Sequence, residues 1–557
     1  MADTPDSSAP ATALPESGSS TQRMEGGFVR KASGLVRDFS QVDAWIYNVL
    51  AINAVVLLAM TYVSVVVIFP GASLPAAIAI CGFFCLFEAI TYAFFTTIMP
   101  RSGGDYVFQS RVLGGGIATV FVGTGIVLTQ FIIVALVGYL GATLVISPFF
   151  LLIGAEYGWE WLIDAGNWAA SETGVFILAA AYMLWSGLLN LRGLRLYALV
   201  QRYLFGIGLA CLFVFLILLL TTSSGDFVTN LNTFMSDNYG VEDAHGATLA
   251  AGGTPDVGFS LWATIQAAVF AALFLVFSHW SVQQGGEIKR ANSLRNNLLA
   301  IPGSLIFSLA LILGISALLV SKVGTDFLFA SGSLFLDGSP EYLLPVPPFF
   351  GFFAVLTTTS PVFLWVAFVM FFTWFMMIAP NVPLACSRMM MAMSFDRILP
   401  EAIGRVHPRL HVPVNAILLV VIGGIGFSAL YAYGQWFVPL TFALTLPTLN
   451  TFAATMVAAV LFPKRSPHIF RGSVADRYRI GPVSVMQITA AIFFAFVVFV
   501  DYQILFNDAL GLNSTDALLT VGALYVVAIG VYLGSKIYRK RKDNLDLTMA
   551  YKELPAE

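Results

Sequence analysis

Residues 270–290 read FAALFLVFSHWSVQQGGEIKR, and this stretch decides how the chain is to be read. Phe270 to Phe277 carries no charge and no helix breaker, as a helix in hydrocarbon requires. Ser278-His279-Trp280-Ser281 then interrupts it at membrane depth, followed by Gly285, Gly286 and Glu287 and a closing Lys289-Arg290 pair. Backbone inside a bilayer must satisfy its own hydrogen bonds unless it lines a cavity or lies within protein. An imidazole flanked by hydroxyls is costly there, so either it serves a function or a neighbouring helix satisfies it.

The rest of the chain has the same character. Of 557 residues, 58% are hydrophobic, 14% aromatic and only 11% charged, with a mean hydropathy of +0.83. Soluble domains carry about 25% charged residues. The formal net charge of −3 gives no pull toward nucleic acid, and no such partner is expected. Cys81, Cys85, Cys211 and Cys386 sit in or against apolar runs. Cys81 and Cys85 share a helix face, but no His or third Cys joins them, so packing is expected and no metal site. The longest loops, about 30 to 36 residues, fall short of the roughly 50 residues of the smallest ordinary domain. The sequence holds no phosphate-cradling Gly loop, no metal-ligand spacing and no nucleophile elbow. An enzyme, a cofactor and an ATP-driven pump are therefore not expected, which leaves a secondary transporter, a channel or a membrane sensor.

Residues 1–40, rich in Ser, Ala, Pro, Thr and Asp, read as a disordered tail with no signal-peptide core. Spanning stretches follow at 44–69, 74–99, 115–141, 172–191, 196–222, 259–286, 298–321, 353–380, 412–432, 437–462, 484–505 and 516–538. Each is near or above the ~20 residues that cross a bilayer as helix, so an all-α polytopic protein of about 12 transmembrane helices is expected. With the N-terminus inside, 27 of the 28 Lys and Arg residues fall on the cytoplasmic side, all but Lys322. The outer loops 142–171, 223–258 and 322–352 carry acids such as Glu156, Asp164 and Asp237 instead. Positive charge gathers on the cytoplasmic side of membrane proteins, so both termini are expected there, in the cell membrane. The basic run Lys536–Lys542 is an anchor able to touch anionic lipid.

Four motifs give the chain a family resemblance. Pro100-Arg101-Ser102-Gly103-Gly104-Asp105-Tyr106, with Arg111 and Gly114, follows the second span. Asn190-Leu191-Arg192-Gly193 precedes the fifth, and Gly286-Glu287-Ile288-Lys289 ends the sixth. Ser387-Arg388-Met389, Asp396-Arg397, His407-Pro408-Arg409 and Pro413-Val414-Asn415-Ala416 follow the eighth. In this order, each on the expected cytoplasmic side, they resemble the amino acid–polyamine–organocation (APC) superfamily of permeases over roughly residues 44–465. The resemblance implies a 5+5 inverted-repeat transporter fold in which helices 1 and 6 are discontinuous near the midplane and hold substrate. It divides the chain into the tail 1–40, a transporter core 41–465, two further helices in 466–538 and a cytoplasmic tail 539–557.

Counted from Pro70-Gly71, the family's break in helix 1 falls at Val63-Ser64-Val65; counted from Glu287, that in helix 6 falls near Leu275-Val276-Phe277, or is displaced to Phe277–His279. No glycine stands in either, which crowds the close backbone approach by which relatives grip a carboxylate. Val63, Ser64, Val65, Phe277, Ser278, His279 and Trp280 are the expected substrate-binding residues. Some proton-coupled relatives use a Lys in span 5; its position here is Gly208. The deep ionisable groups are Glu88 and His279, the expected ion-coupling residues, for proton or sodium. Asn53, Thr61 and Ser64 give span 1 a polar side, Thr357–Ser360 are hydroxyls near span 8, and Phe274 and Trp262 offer aromatic surface along span 6. The function expected is secondary transport of an amino acid or related amine, driven by an ion gradient, with no cofactor. A carrier of polyamine, other organic cation or nucleobase is the alternative, as is a membrane sensor that keeps the fold without turnover.

Overall fold

The computed structural model describes residues 34–551 apart from 62, 256, 357, 359, 435–436, 438–442 and 511–512. The tail up to residue 33, and Thr357 and Thr359, lie outside the described residues. Twelve described helices are long and apolar enough to cross a membrane: spans 1 to 12 are Gln41–Thr61, Leu74–Ile98, Gly115–Tyr157, Glu172–Leu191, Leu194–Thr221, Leu261–Gln283, Leu294–Val323, Val362–Phe395, Val414–Tyr433, Thr445–Arg465, Val485–Phe506 and Thr515–Lys542. The protein is all-α and polytopic, with one antiparallel hairpin, Arg479–Ile480 and Val483–Ser484, among the described residues.

Spans 3 and 8 depart furthest from their expected ends. Span 3 runs on to Tyr157 rather than stopping near 141, because two π-helical segments, Gly123–Leu128 and Gly141–Ile146, shift its register without ending it. A π segment leaves carbonyls without their usual partners. Thr448 of span 10 donates to Gly125 O (2.9 Å) and Thr451 donates to Phe121 O (2.6 Å), so the freed oxygens are met by a neighbouring helix. The loops expected outside are largely helical too, with Glu160–Ala170, Ser224–Tyr239, Ala244–Gly252 and Thr325–Leu336.

Span 8 starts later and ends later than expected, at Val362 and Phe395 instead of 353 and 380. Pro380 and Pro383 lie inside it. A proline cannot donate to the carbonyl four residues back, which here strands Met376 O and Ala379 O. Span 4 supplies the donors: Trp185 Nε1 reaches Met376 O at 2.9 Å and Ser186 Oγ reaches Ala379 O at 3.1 Å. Asn190, at the end of span 4, donates to Ser186 O and to Pro380 O. Ser387-Arg388-Met389 consequently belongs to the helix rather than to the loop that follows.

All four motifs converge on the face that carries the arginines. Arg388 holds Glu287 with two bonds of 2.8 and 2.9 Å, both side chains fully enclosed. Arg111 grips Asp396 in the same forked manner. Gly103 has φ +95°, and a Cβ there would strike Ala392 Cβ at 2.5 Å, so only glycine lets the loop pass span 8. Residues just before span 1 join this base: Phe39, expected in the disordered tail, is fully buried and exchanges backbone bonds with Glu287 O (3.1 Å) and Lys289 N (2.8 Å). Its ring meets Tyr47 and Tyr197.

Removing one member of a buried ion pair costs about 3–5 kcal/mol because the other charge is left alone, whereas an apolar replacement of both is close to neutral. Arg388→Met should therefore lower the melting temperature of the purified protein sharply, and adding Glu287→Leu should recover most of the loss. A single variant that melts with the wild type would contradict the enclosed pair.

Candidate binding site

Span 1 is interrupted at Asn53, and past its end at Thr61 a separate short helix, Ser64–Ile68, starts on Val63. The first half of span 1, Gln41–Ile52, ends on Asn53 in the left-handed conformation (φ 48°, ψ 77°), and the second half, Ala54–Thr61, begins immediately after. Asn is among the few residues other than Gly that adopt this conformation readily. Its three polar groups hold the interruption. The backbone N–H donates to Val49 O (3.1 Å), the side-chain oxygen accepts from Val56 N (3.1 Å), and the side-chain NH2 donates to Trp374 O of span 8 (3.2 Å). The count from Pro70-Gly71 points to the later of these two helix ends, at Val63 and Ser64. Val63 packs on Gly332, whose added Cβ would meet Val63 Cγ1 at 2.2 Å, and Ser64 Oγ returns to Met60 O at 3.0 Å.

Span 6 is interrupted close to where it was expected. The α-helix ends at Leu275, and Val276–Gln283 winds on as a 3-10 helix. Eight residues of 3-10 helix is long for that geometry, whose hydrogen bonds are poorer. Span 1 supports it: Asn48 Oδ1 accepts from Ser281 N at 2.8 Å.

Between the two interruptions lies a cavity of about 120 Å³, walled by spans 1, 3, 6, 8 and 10. An apolar cavity of about 150 Å³ accommodates a molecule the size of benzene. Its lining includes Val56 and Met60 from span 1, Val276, Phe277 and Trp280 from span 6, and Thr445 and Thr448 from span 10. No charged side chain is among the lining residues. Of the expected substrate-binding residues, Phe277 and Trp280 therefore face the cavity. Val63, Ser64, Val65, Ser278 and His279 do not line it; the first three lie beyond the break, and the last two point off the far side of the 3-10 helix. Phe274 lines it, while Trp262 is 59% exposed on the outside of the bundle. Thr358 and Ser360 line a separate pocket of about 160 Å³ with Glu156 and Asp237, away from this one.

Behind Phe277 the expected ionisable pair does come together. His279 Nδ1 lies 3.4 Å from Glu88 Oε1, and Nε2 lies 3.9 Å from Asp105 Oδ2, all three side chains fully buried. Tyr92 stacks on the imidazole at 3.6 Å and 5°, and Phe452 meets its edge at 4.7 Å. Asp105 is well bonded, accepting from Tyr92 Oη, from Thr455 Oγ1 (2.6 Å) and from Gln283 Nε2 (2.6 Å). Burial pushes its carboxyl above the ordinary range, against the pull of the hydrogen bonds from Thr455, Tyr92 and Gln283. Neither oxygen of Glu88 and neither nitrogen of His279 has a conventional hydrogen-bond partner. Asp105 and Gln283 were not singled out in the sequence; they stand in or beside the motifs, but spacing alone does not bring residues 178 positions apart into contact.

At Gly208, where some relatives have lysine, a Cβ would lie 2.7 Å from Trp374 Nε1 and Thr373 Oγ1. The indole of Trp374 fills that place, and its carbonyl is the one Asn53 binds.

Twelve apolar helices, two of them interrupted around a cavity, define a multi-pass membrane carrier. The family model for amino acid permeases matches residues 44–529, and the chain belongs to that family, a branch of the APC superfamily. The match extends past 465, through span 11 and into span 12. No curated protein matches the chain. It is thus a non-enzymatic transporter of amino acids or related compounds.

If Asn53 is left-handed, Asn53→Gly keeps the backbone angle and loses the side-chain bonds, whereas Asn53→Ala also incurs the roughly 1–2 kcal/mol left-handed penalty. Thermal melts should rank wild type above Asn53→Gly and Asn53→Gly above Asn53→Ala. An alanine variant as stable as the glycine variant would place the break elsewhere.

Proposed function

We propose that this permease carries a small neutral amino acid across the cell membrane, coupled to protons, with both termini in the cytoplasm. What carries the reading is the uncharged cavity between Asn53 and Val276, set one side chain away from a buried Glu88–His279 pair. A dibasic or acidic cargo would bring a net charge into an apolar wall, which costs several kcal/mol unless it is paired. Glu88 is the buried acid that would pair with a cationic cargo such as a polyamine, yet it does not line the cavity. A zwitterion is neutral overall and brings no net charge into that wall.

The coupling role rests on the same 3-10 helix. His279 sits two residues from Phe277, so a proton gained or lost on the Glu88–His279 pair changes the forces on the cavity wall. A buried His with an acid partner is suited to this because modest changes of environment move its protonation through the physiological range. The placement of 27 of 28 basic residues supports the orientation.

Uptake of labelled alanine, leucine, spermidine and adenine into proteoliposomes tests the reading. Neutral amino acids should accumulate when the outside is made acidic, and spermidine and adenine should not. Binding without accumulation under every imposed gradient would favour a sensor and end the carrier reading. Glu88→Gln and His279→Gln should reduce acid-driven accumulation about tenfold or more, the equivalent of ~1.4 kcal/mol, while exchange of labelled for unlabelled amino acid continues. An unchanged pH profile in both variants would remove the pair from coupling.

A further inference from the structure

The cavity wall holds two donors with nothing to donate to. Gln130 follows the first π segment of span 3, and Asn381 lies between the two prolines of span 8. Gln130 is 1% exposed and Asn381 2%, both line the cavity, and Gln130 Nε2 and Asn381 Nδ2 have no hydrogen-bond partner. The orientation of Asn381 is fixed from outside the cavity: Tyr197 Oη donates to its Oδ1, which leaves the NH2 as its free end. Tyr47 Oη donates to its backbone oxygen at 2.8 Å. A buried amide donor left unmade costs about 1–3 kcal/mol, and two in one small apolar cavity are met together only when an acceptor enters.

Backbone donors at the break are less open than glycines would make them. The Asn53 side chain occupies the N–H of Val56, and valines stand at Val56 and Val276. We propose that Gln130 and Asn381 form the carboxylate-recognition site of the cavity, so that side-chain amides from spans 3 and 8 take the acceptor end of an amino acid. The assignment rests on the carrier reading above. Neutral donors fit a carboxylate whose charge is balanced by the cargo's own ammonium. They reject the corresponding amino alcohol, which lacks the second acceptor oxygen and the charge that strengthens these bonds. Asn381 also links the site to the base, because Tyr47 and Tyr197 both close on Phe39.

The test is equilibrium binding of alanine and leucine, and of alaninol and leucinol, to the full-length protein in nanodiscs. Wild type should bind the amino acids at least tenfold more tightly than the alcohols. Gln130→Glu and Asn381→Asp place a carboxylate where the cargo's carboxylate would sit, and each should weaken amino acid binding tenfold or more and shrink the discrimination toward one. Asn381→Asp keeps the oxygen that Tyr197 needs, and Gln130→Leu serves as a second variant if the charged one misfolds; it should shrink the same ratio. Wild-type affinity for leucine in folded variants would overturn this assignment alone. Wild type that binds none of the amino acids would overturn the carrier reading and this assignment with it.

Discussion

A peptide group in hydrocarbon has no water to turn to, so every departure from helix needs a named protein partner. That requirement organises the whole bundle. The chain departs from α-helix at Asn53, at Val63, at Val276 and at two π segments, and two prolines interrupt its hydrogen bonds within span 8. At several of these places a side chain from the same break or from an adjacent span takes up a released carbonyl or N–H. Asn53 does this for span 1 with its own side chain, Trp185 and Ser186 do it for span 8, and Thr448 and Thr451 do it for span 3. The irregularities cluster around one cavity because that is where helices 1, 3, 8 and 10 must satisfy one another. A cavity in such a place is a consequence of the hydrogen-bond requirement, and the proposed cargo site makes use of it.

Much of this was legible in the sequence, and the failures have definite causes. Span 2 was read as 74–99 and is Leu74–Ile98, because a run of apolar residues bounded by Pro and Gly is a length measurement. Span 8 is expected over 353–380 as an apolar stretch; its continuation past Pro380 and Pro383 rests on donors on span 4, remote in sequence. The family's spacing points to the helix end at Val63 and Ser64 and passes over the one at Asn53. Asn53 had been noted as part of a polar side, and its tolerance for left-handed backbone was the signal that would have placed it. Glu88 and His279 were found because a charge in an apolar run is conspicuous. Gln130 and Asn381 are uncharged, and an amide in such a run draws less notice although burying it unpaired also has a cost. Asp105 and Gln283 required the fold itself.

The two ends of the molecule answer to different constraints. On the arginine face, forked ion pairs join spans 6 and 8 and the loop after span 2, with both partners enclosed. Pairs of this kind add little net stability over a well-packed apolar core, but they tolerate few alternative geometries. The residues leading into span 1 lie across the same base, with Phe39 seated between Tyr47 and Tyr197. That base is therefore held by a set of directional contacts that is specific rather than merely apolar.

The replacement at position 208 bears on how coupling is arranged. With Gly208 on span 5 and the Trp374 indole in the vacated volume, spans 1, 5 and 8 meet through packing and the Asn53–Trp374 bond, with no ionisable group among those residues. The ionisable groups stand on the opposite side of the broken helices, between spans 2 and 6. A charge there acts on the 3-10 half of span 6, whose weaker hydrogen bonds make it the more deformable of the two interrupted helices. Asn53, capped at both ends and tied to span 8, is by contrast held in one geometry. On the proposed reading the division of labour follows from that difference: the rigid break in span 1 shapes the cavity, and the compliant segment in span 6 is where a proton is able to change it.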